Sequence, residues 1–212
     1  MNRVVKTFVL LFFMSVVVMA QGFKVKATGS QTFNFEDKNG RNQMTFFSAT
    51  PLEDITGTAS GITGSVTFDV ANLVKTLKGT ITVSVASMKS GIDLRDQHIR
   101  GANWLNAEKF PNITFDIKEV LDVKQTADNK LEFKVKGDYT MHGVSKEVVA
   151  SAEASYLDES EQTKKRAPGD LFGVRAKFYV KLSDYGINNQ LIGNKVAENI
   201  EVSVNIVGSN KM

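Results

Sequence analysis

The amino-acid sequence predicts an all-β fold, a single antiparallel barrel of about eight strands with a short helix inserted near residues 93–105. Three observations carry that expectation. Apolar and polar residues alternate with period two through run after run, so each run buries one face and wets the other, as antiparallel strands do. The connections between runs are mostly of hairpin length, with little helix between them. The stretch Ile92 to Phe115, IDLRDQHIRGANWLNAEKFPNITF, drops the alternation and holds the only tryptophan, Trp104. A strand set this large can form a sandwich or close on itself, and closure removes exposed edges. A closed barrel of about eight strands is either filled by its own side chains or holds one small ligand.

Before the first strand, residues 1–20 read as a cleavable signal peptide. Arg3 and Lys6 form a positive start, Thr7 to Val18 is an apolar run too short to span a bilayer comfortably, and Val18-Met19-Ala20 offers a small-residue cleavage site. Cleavage after Ala20 leaves a domain at 21–212, exported to the periplasm or secreted. No cysteine follows the site, which excludes an acylated lipoprotein, thiol catalysis, thiolate metal sites and disulfide support. The formal charge is +3, and Arg3 and Lys6 supply two of those charges, leaving +1. Basic residues are scattered along strands, so no nucleic-acid partner is expected. No later run is long and apolar enough for an integral membrane segment after cleavage.

Taken in order, Thr32 to Glu36 reads as a short strand, Asn39-Gly40 as a turn, and Asn42 to Thr50 as the hairpin partner. Ile62, Val66, Phe68 and Val70 share one face of the next strand. A brief helix or turn at Ala71–Leu77 leads to Ile81, Val83 and Val85. Beyond the interruption, Ile113, Phe115, Ile117, Leu121 and Val123 fall on one face, with Glu119 the exception. Leu131, Phe133, Val135, Tyr139 and Met141 follow, then the His142-Gly143 turn. In the next strand Ala150, Ala152 and Ala154 stand where neighbouring strands carry Phe, Ile and Val, which leaves space inside unless a residue such as Phe178 fills it. The charged loop from Asp158 to Asp170 reads as a mobile surface loop. Phe172, Val174, Ala176, Phe178, Val180 and Leu182 share a face, and Ile200, Val202, Val204 and Ile206 close the chain.

Candidate chemistry concentrates in the interruption. Asp93 is a suitable N-cap, and at helical spacing Leu94, His98, Ala102 and Leu105 share a side, opposite Asp96 and Arg100, which are spaced for an ion pair. His98 then either bonds a backbone carbonyl or meets a ligand headgroup at the barrel mouth. Arg95, Arg100 and Lys109 can bind an anionic headgroup or pair with Asp93, Asp96 and Glu108. The two histidines, His98 and His142, are far apart, with no metal-binding spacing. There is no G-x-S-x-G elbow and no glycine-rich phosphate loop. No catalytic residue, metal or cofactor is predicted.

Leu94-Arg95-Asp96-Gln97-His98-Ile99-Arg100, then Trp104, Lys109-Phe110-Pro111 and Phe115, resembles the central signature of the YceI-like, polyisoprenoid-binding family. Gly137 to Lys146 (GDYTMHGVSK) and Lys181 to Ile187 (KLSDYGI) resemble two further blocks of that family. Ile99, Asn103 and Trp104 depart from its usual residues, and Ser48 to Ile55 differs in a way expected to re-shape the entrance. The resemblance implies a lipocalin-like barrel with a long isoprenoid inside and, in some members, a polar head near the opening.

The expected function is an exported, non-enzymatic carrier or sequestering protein for a polyisoprenoid or similar lipid. Its partner would be an isoprenoid quinone, a prenyl phosphate or a fatty-acyl lipid, and a homodimer is left open. The expected ligand-binding residues are Arg95, Asp96, His98, Arg100 and Trp104 at the mouth, with Phe115, Phe133, Ala150, Ala152 and Phe178 inside. Two alternatives stand beside it: a lipid-modifying enzyme using His98 and His142, and a filled barrel serving as an envelope stress or interaction protein.

Overall fold

The computed structural model describes residues 21–211, so the expected leader at 1–20 and its cleavage lie outside the described residues. In chain order the strands are β1 (Ser30–Asn34), β2 (Gln43–Ala49), β3 (Asp54–Ala59), β4 (Ile62–Asp69), β5 (Lys78–Ser84), β6 (Asn112–Ala127), β7 (Lys130–Met141), β8 (Val144–Leu157), β9 (Leu171–Lys181) and β10 (Asn199–Ser209). Two helices interrupt them, α1 (Leu73–Thr76) and α2 (Asp93–Arg100). Going round the barrel the order is β1-β4-β5-β6-β7-β8-β9-β10, all antiparallel, and the ring closes where Asn34 pairs with Ser209. The β2–β3 hairpin extends the wall beside β10 toward the end that carries α2. This is the closed eight-strand barrel that one-sided strands favour, because closure leaves no edge along the ring.

The first two strands correct one expectation. Asn39-Gly40 does turn, with Gly40 at φ +62°, but β1 and β2 are not a hairpin; both run antiparallel to β10, one after the other. The reason is a polar knot between them. Burial works against the Asp37 carboxylate, but bonds from Arg41 and from the Asn39 and Arg41 N–H groups, with the charge of Arg166, hold its pKa well below the ordinary range. The buried Asn42 amide donates to Phe35 O at 2.8 Å and Val207 O at 3.1 Å, and its oxygen accepts from Val207 N–H at 2.9 Å. That side chain takes the place of a ladder rung, so the loop puckers outward without breaking the wall. Arg166 also donates to Asn42 at 2.8 Å, which pins the charged 158–170 loop against the barrel rather than leaving it a free surface loop.

A second correction lies in β6. The register slips between Ile117 and Glu119, and from there Val120 faces inward, paired with Val135, while Leu121 pairs with Lys134. One extra residue in a bulge reverses the facing of the residues that follow, until a further slip after Leu121 returns Val123 to the side of the core. Glu119 is therefore not an exception on a buried face; it meets Lys136 at 3.2 Å on the outside.

One end of the barrel is solid. Phe33 stacks on Phe68 with ring centroids 5.5 Å apart, Phe68 meets Phe172 at 4.7 Å, and Phe23 closes on Tyr156 at 5.7 Å. The Tyr156 hydroxyl donates to Asp170 at 2.7 Å, so even the polar atom of this floor is satisfied. At the other end β8 and β9 part company, since their pairing begins only at Ser151 with Lys177. Residues Val144–Ala150 pair with β7 alone, and the turn Leu182–Tyr185 packs beside them.

Candidate functional site

Above the aromatic floor the interior is hollow. The alternation that turns Met44, Phe46 and Ser48 of β2 inward, with Tyr139 and Met141 of β7 and Ile200 and Val202 of β10, leaves a chamber of about 380 Å³. Its rim carries Ile92, Leu94 and Leu191, which are 53%, 62% and 39% exposed, so the chamber reaches the surface beside α2. A second chamber of about 100 Å³ lies deeper, between Phe115, Phe133, Phe178, Ala150, Ala152 and their neighbours. Met44 and Tyr139 wall both chambers and mark the waist between them. Two glycines make room for the rings that line these spaces. A Cβ on Gly57 would stand 2.0 Å from the Phe46 ring, and one on Gly137 2.7 Å from the Phe115 ring.

The alanine row thus does open space, but less than its length suggested. Ala150 and Ala152 line the small chamber, whereas Ala154 lines neither and is fully buried beside Leu131 and Val174. Phe178 takes up part of the room, with its ring 5.3 Å from Tyr139 and 6.2 Å from Phe115. The larger chamber is built elsewhere, where aromatic rings give way to Met44, Met88 and Met141, whose thioethers adapt to irregular walls.

Helix α2 sits at the mouth with Leu94, His98 and, past its end, Leu105 toward the chamber, as helical spacing expects, but it is shorter than expected and its polar side is buried. It ends at Arg100 rather than near 105, and Gly101 to Phe110 is a series of turns, with Asn106 at φ +49°. Asp93 makes no capping bond. Asp96 is the buried residue of the helix, and it accepts 2.6 Å bonds from both the N–H and the hydroxyl of Ser90. The Ser90 hydroxyl bond, opposed by burial and aided by the Ser90 N–H and the charges of Arg100 and Arg95, keeps the Asp96 carboxyl below its usual pKa. The helix is anchored through this polar side, because two charge-assisted bonds outweigh a short apolar stripe that has only the open mouth to cover.

The expected site residues accordingly separate. His98, Arg95 and Trp104 line the larger chamber, with His98 exposed and Trp104 half-buried. Arg95 also donates to the Ser90 hydroxyl at 3.0 Å and stands 3.5 Å from Glu53. Asp96 and Arg100 line neither chamber; Arg100 donates to Ala86 O at 3.2 Å, and the expected Asp96–Arg100 ion pair does not form. Lys109 is exposed, its ammonium 5.2 Å over the Phe110 ring. His142 makes the carbonyl bond considered for His98. Its Nδ1–H donates to Tyr185 O at 3.0 Å, its ring packs against Phe110, and it lines neither chamber.

Several wall residues escaped the sequence reading. Lys195, Leu191 and Ile187 reach the larger chamber from the irregular 184–198 connection, for which no period exists to read. Tyr139 was visible as an inward position but not as a cavity wall, and no facing was read for Met44 and Phe46. The atypical segment Ser48–Ile55 does border the opening, through Ser48, Glu53 and Ile55. Among the described residues no cluster of three or more histidines and carboxylates could hold a metal, and no helix is long and apolar enough to cross a membrane.

Comparison with known proteins agrees with this architecture. The family model described as the YceI-like domain matches residues 23–208. Protein YceI of Escherichia coli O6:H1 is 28% identical over 202 residues, spanning 95% of this chain and 94% of that protein. A UPF0312 protein of Ectopseudomonas mendocina is 30% identical over 174 residues, covering 81% of this chain and 84% of its own length. Among solved structures, Burkholderia cenocepacia BcnA superposes with a TM-score of 0.62 at 17% identity, over 81% of this chain and 99% of that one. A polyisoprenoid binding domain from Saccharophagus degradans superposes with a TM-score of 0.59 at 12% identity, over 87% of this chain and 99% of its own. At such identities the two structures establish the shared lipocalin-like fold, and the matched domain, running from Phe23 to Gly208 through every strand of the barrel, makes this chain a member of the YceI-like family.

Proposed function

We propose that this protein is a carrier or sequestering protein that holds an isoprenoid or similar long-chain amphiphilic lipid inside the barrel, outside the cytoplasm. The observation that carries the proposal is the pair of apolar chambers meeting at Met44 and Tyr139 and opening beside α2. A chamber of about 380 Å³ is within the size range of small-molecule sites. Each CH₂ withdrawn from water contributes roughly 0.8 kcal/mol, so roughly ten buried groups outweigh the cost of ordering the chain. The Saccharophagus degradans domain of like fold is described as polyisoprenoid binding, which favours the same ligand class here.

The hollow mouth speaks against a filled barrel. The enzyme alternative loses its histidine pair, because His142 is turned away from both chambers and only His98 borders one. A quinone, a prenyl phosphate or a fatty-acyl lipid each fits the aliphatic lining; a phosphate would sit at the mouth, where Arg95, His98 and Lys195 are. Export is read from the sequence of residues 1–20, and N-terminal analysis of native protein should begin at Gln21.

Organic extraction of native protein followed by mass spectrometry should release an isoprenoid or other long-chain lipid. A clean extract, together with no uptake of prenyl quinone or prenyl diphosphate by the purified protein, overturns the proposal.

A further inference from the structure

Tyr139 stands at the waist where the two chambers meet, and its polar atom is poorly served. The residue is 4% exposed, and its ring is fixed edge-on by Phe178 at 5.3 Å and Tyr185 at 5.7 Å. The sole hydrogen-bond partner of its hydroxyl among the described residues is the Met141 sulfur, 4.0 Å away, a weak acceptor at the limit of contact. Two other tyrosines show what the fold supplies when it satisfies such a group: Tyr156 reaches Asp170 and Tyr179 reaches Glu201, each at 2.7 Å. Tyr139 has no such partner, although buried hydroxyls are ordinarily paired. Apart from Tyr139 and Thr114, the inner chamber is lined by aliphatic and aromatic residues.

We infer that Tyr139 is a specificity-determining residue, whose hydroxyl donates a hydrogen bond to a neutral oxygen acceptor of the bound lipid at the waist of the barrel. This rests on the carrier reading above and sharpens its ligand class to lipids bearing a carbonyl or comparable oxygen. An anion is a poor occupant of the waist, because the cationic side chains that reach the cavity, Arg95 and Lys195, line the outer chamber alone. Burial holds the phenol protonated, since desolvation raises its pKa and the nearby Tyr185 adds to the shift. It is therefore a donor throughout the working pH range. A fixed donor in an apolar enclosure discriminates well, because a ligand lacking the acceptor leaves the hydroxyl unpaired.

The test compares wild type with Tyr139→Phe, using displacement of the neutral fluorophore N-phenyl-1-naphthylamine by two probes. One is a short-chain prenyl benzoquinone, and the other is the prenylbenzene with the same tail and no oxygen. Tyr139→Phe should weaken the quinone ~5–30-fold while leaving the hydrocarbon within about twofold. The infrared carbonyl stretch of the bound quinone should sit lower in wild type than in the variant. Equal weakening of both probes, or of neither, overturns the inference and leaves the carrier reading standing. Failure of both probes to bind wild type overturns this inference, and the carrier reading falls with it only if the organic extract is also clean and prenyl diphosphate is not taken up. Empty Tyr139→Phe protein should unfold at the wild-type temperature or above it; a clear fall would show that Met141 already satisfies the hydroxyl, and would also overturn the inference.

Discussion

The two ends of this barrel follow the same alternating rule and reach opposite results. At the floor, Phe23, Phe33, Phe68, Tyr156 and Phe172 turn inward from five different segments and their rings meet at 4.7 to 6.1 Å. At the mouth, the inward positions are held by Met44, Met141, Ile200 and Val202, and nothing crosses the space between them. Rings packed directly on one another, not strand pattern, separate the plug from the pockets, whose walls also carry rings such as Phe46 and Phe133 without filling the space. The floor gives the fold its stability, and the mouth gives up packing to remain open.

Breaking the floor should have the largest effect. Phe68→Ala is expected to cost ~3–5 kcal/mol, whereas Met141→Ala, already facing open space, should fall at the low end near ~2 kcal/mol. Urea unfolding of the pair tests the contrast directly, and equal costs would mean that the mouth is packed as tightly as the floor.

Next comes the anchor of α2. Asp96→Asn should cost ~1.5–3 kcal/mol at neutral pH, since it weakens two bonds made to a charged carboxylate. The folded-state pKa of Asp96 is lowered, so its contribution is complete above the unfolded value near 4 and is lost as pH falls through the lowered value. The stability gap between wild type and Asp96→Asn should therefore close on acidification. A gap that stays constant with pH would assign the effect to packing.

Filling the hollow end should separate stability from binding. Val202→Phe projects a ring into the larger chamber, so stability should move by about 1 kcal/mol or less. Lipid uptake should drop at least ~10-fold, equivalent to ~1.4 kcal/mol. A small change is expected of Arg95→Ala, which removes a solvent-screened contact to Glu53 and the bond to the Ser90 hydroxyl, together worth ~1 kcal/mol in denaturant titrations. Only a lipid with an anionic head should notice its loss.

Much of this was legible in the chain. Ile62, Val66, Phe68 and Val70 are buried where alternation puts them, as are Leu131, Phe133, Val135, Tyr139 and Met141. The slip after Ile117 was not legible, because a bulge adds one residue without a glycine or proline to announce it. The supposed β1–β2 hairpin failed because the turn dipeptide was right while the partner of both strands, β10, lay more than 150 residues downstream. Helical spacing did put Leu94, His98 and Leu105 on the side of the chamber, but the burial of Asp96 on the opposite side was not legible, because its partner Ser90 lies outside the helix. Of the expected site residues, the chambers gather His98, Arg95 and Trp104 above and Phe115, Phe133, Phe178, Ala150 and Ala152 below, while Asp96 and Arg100 serve the helix's own attachment.

Taken alone, the sequence determined which side chains look inward, and so that the strands must close around a greasy interior. It could do so because the pleat is local: each residue's facing is set by its immediate neighbours, up to the next bulge. Only the tertiary structure decided where that interior is full and where it is empty. Occupied volume depends on which side chains meet across the barrel from strands far apart in the chain, and here rings pack on one another at one end while the side chains at the other do not meet.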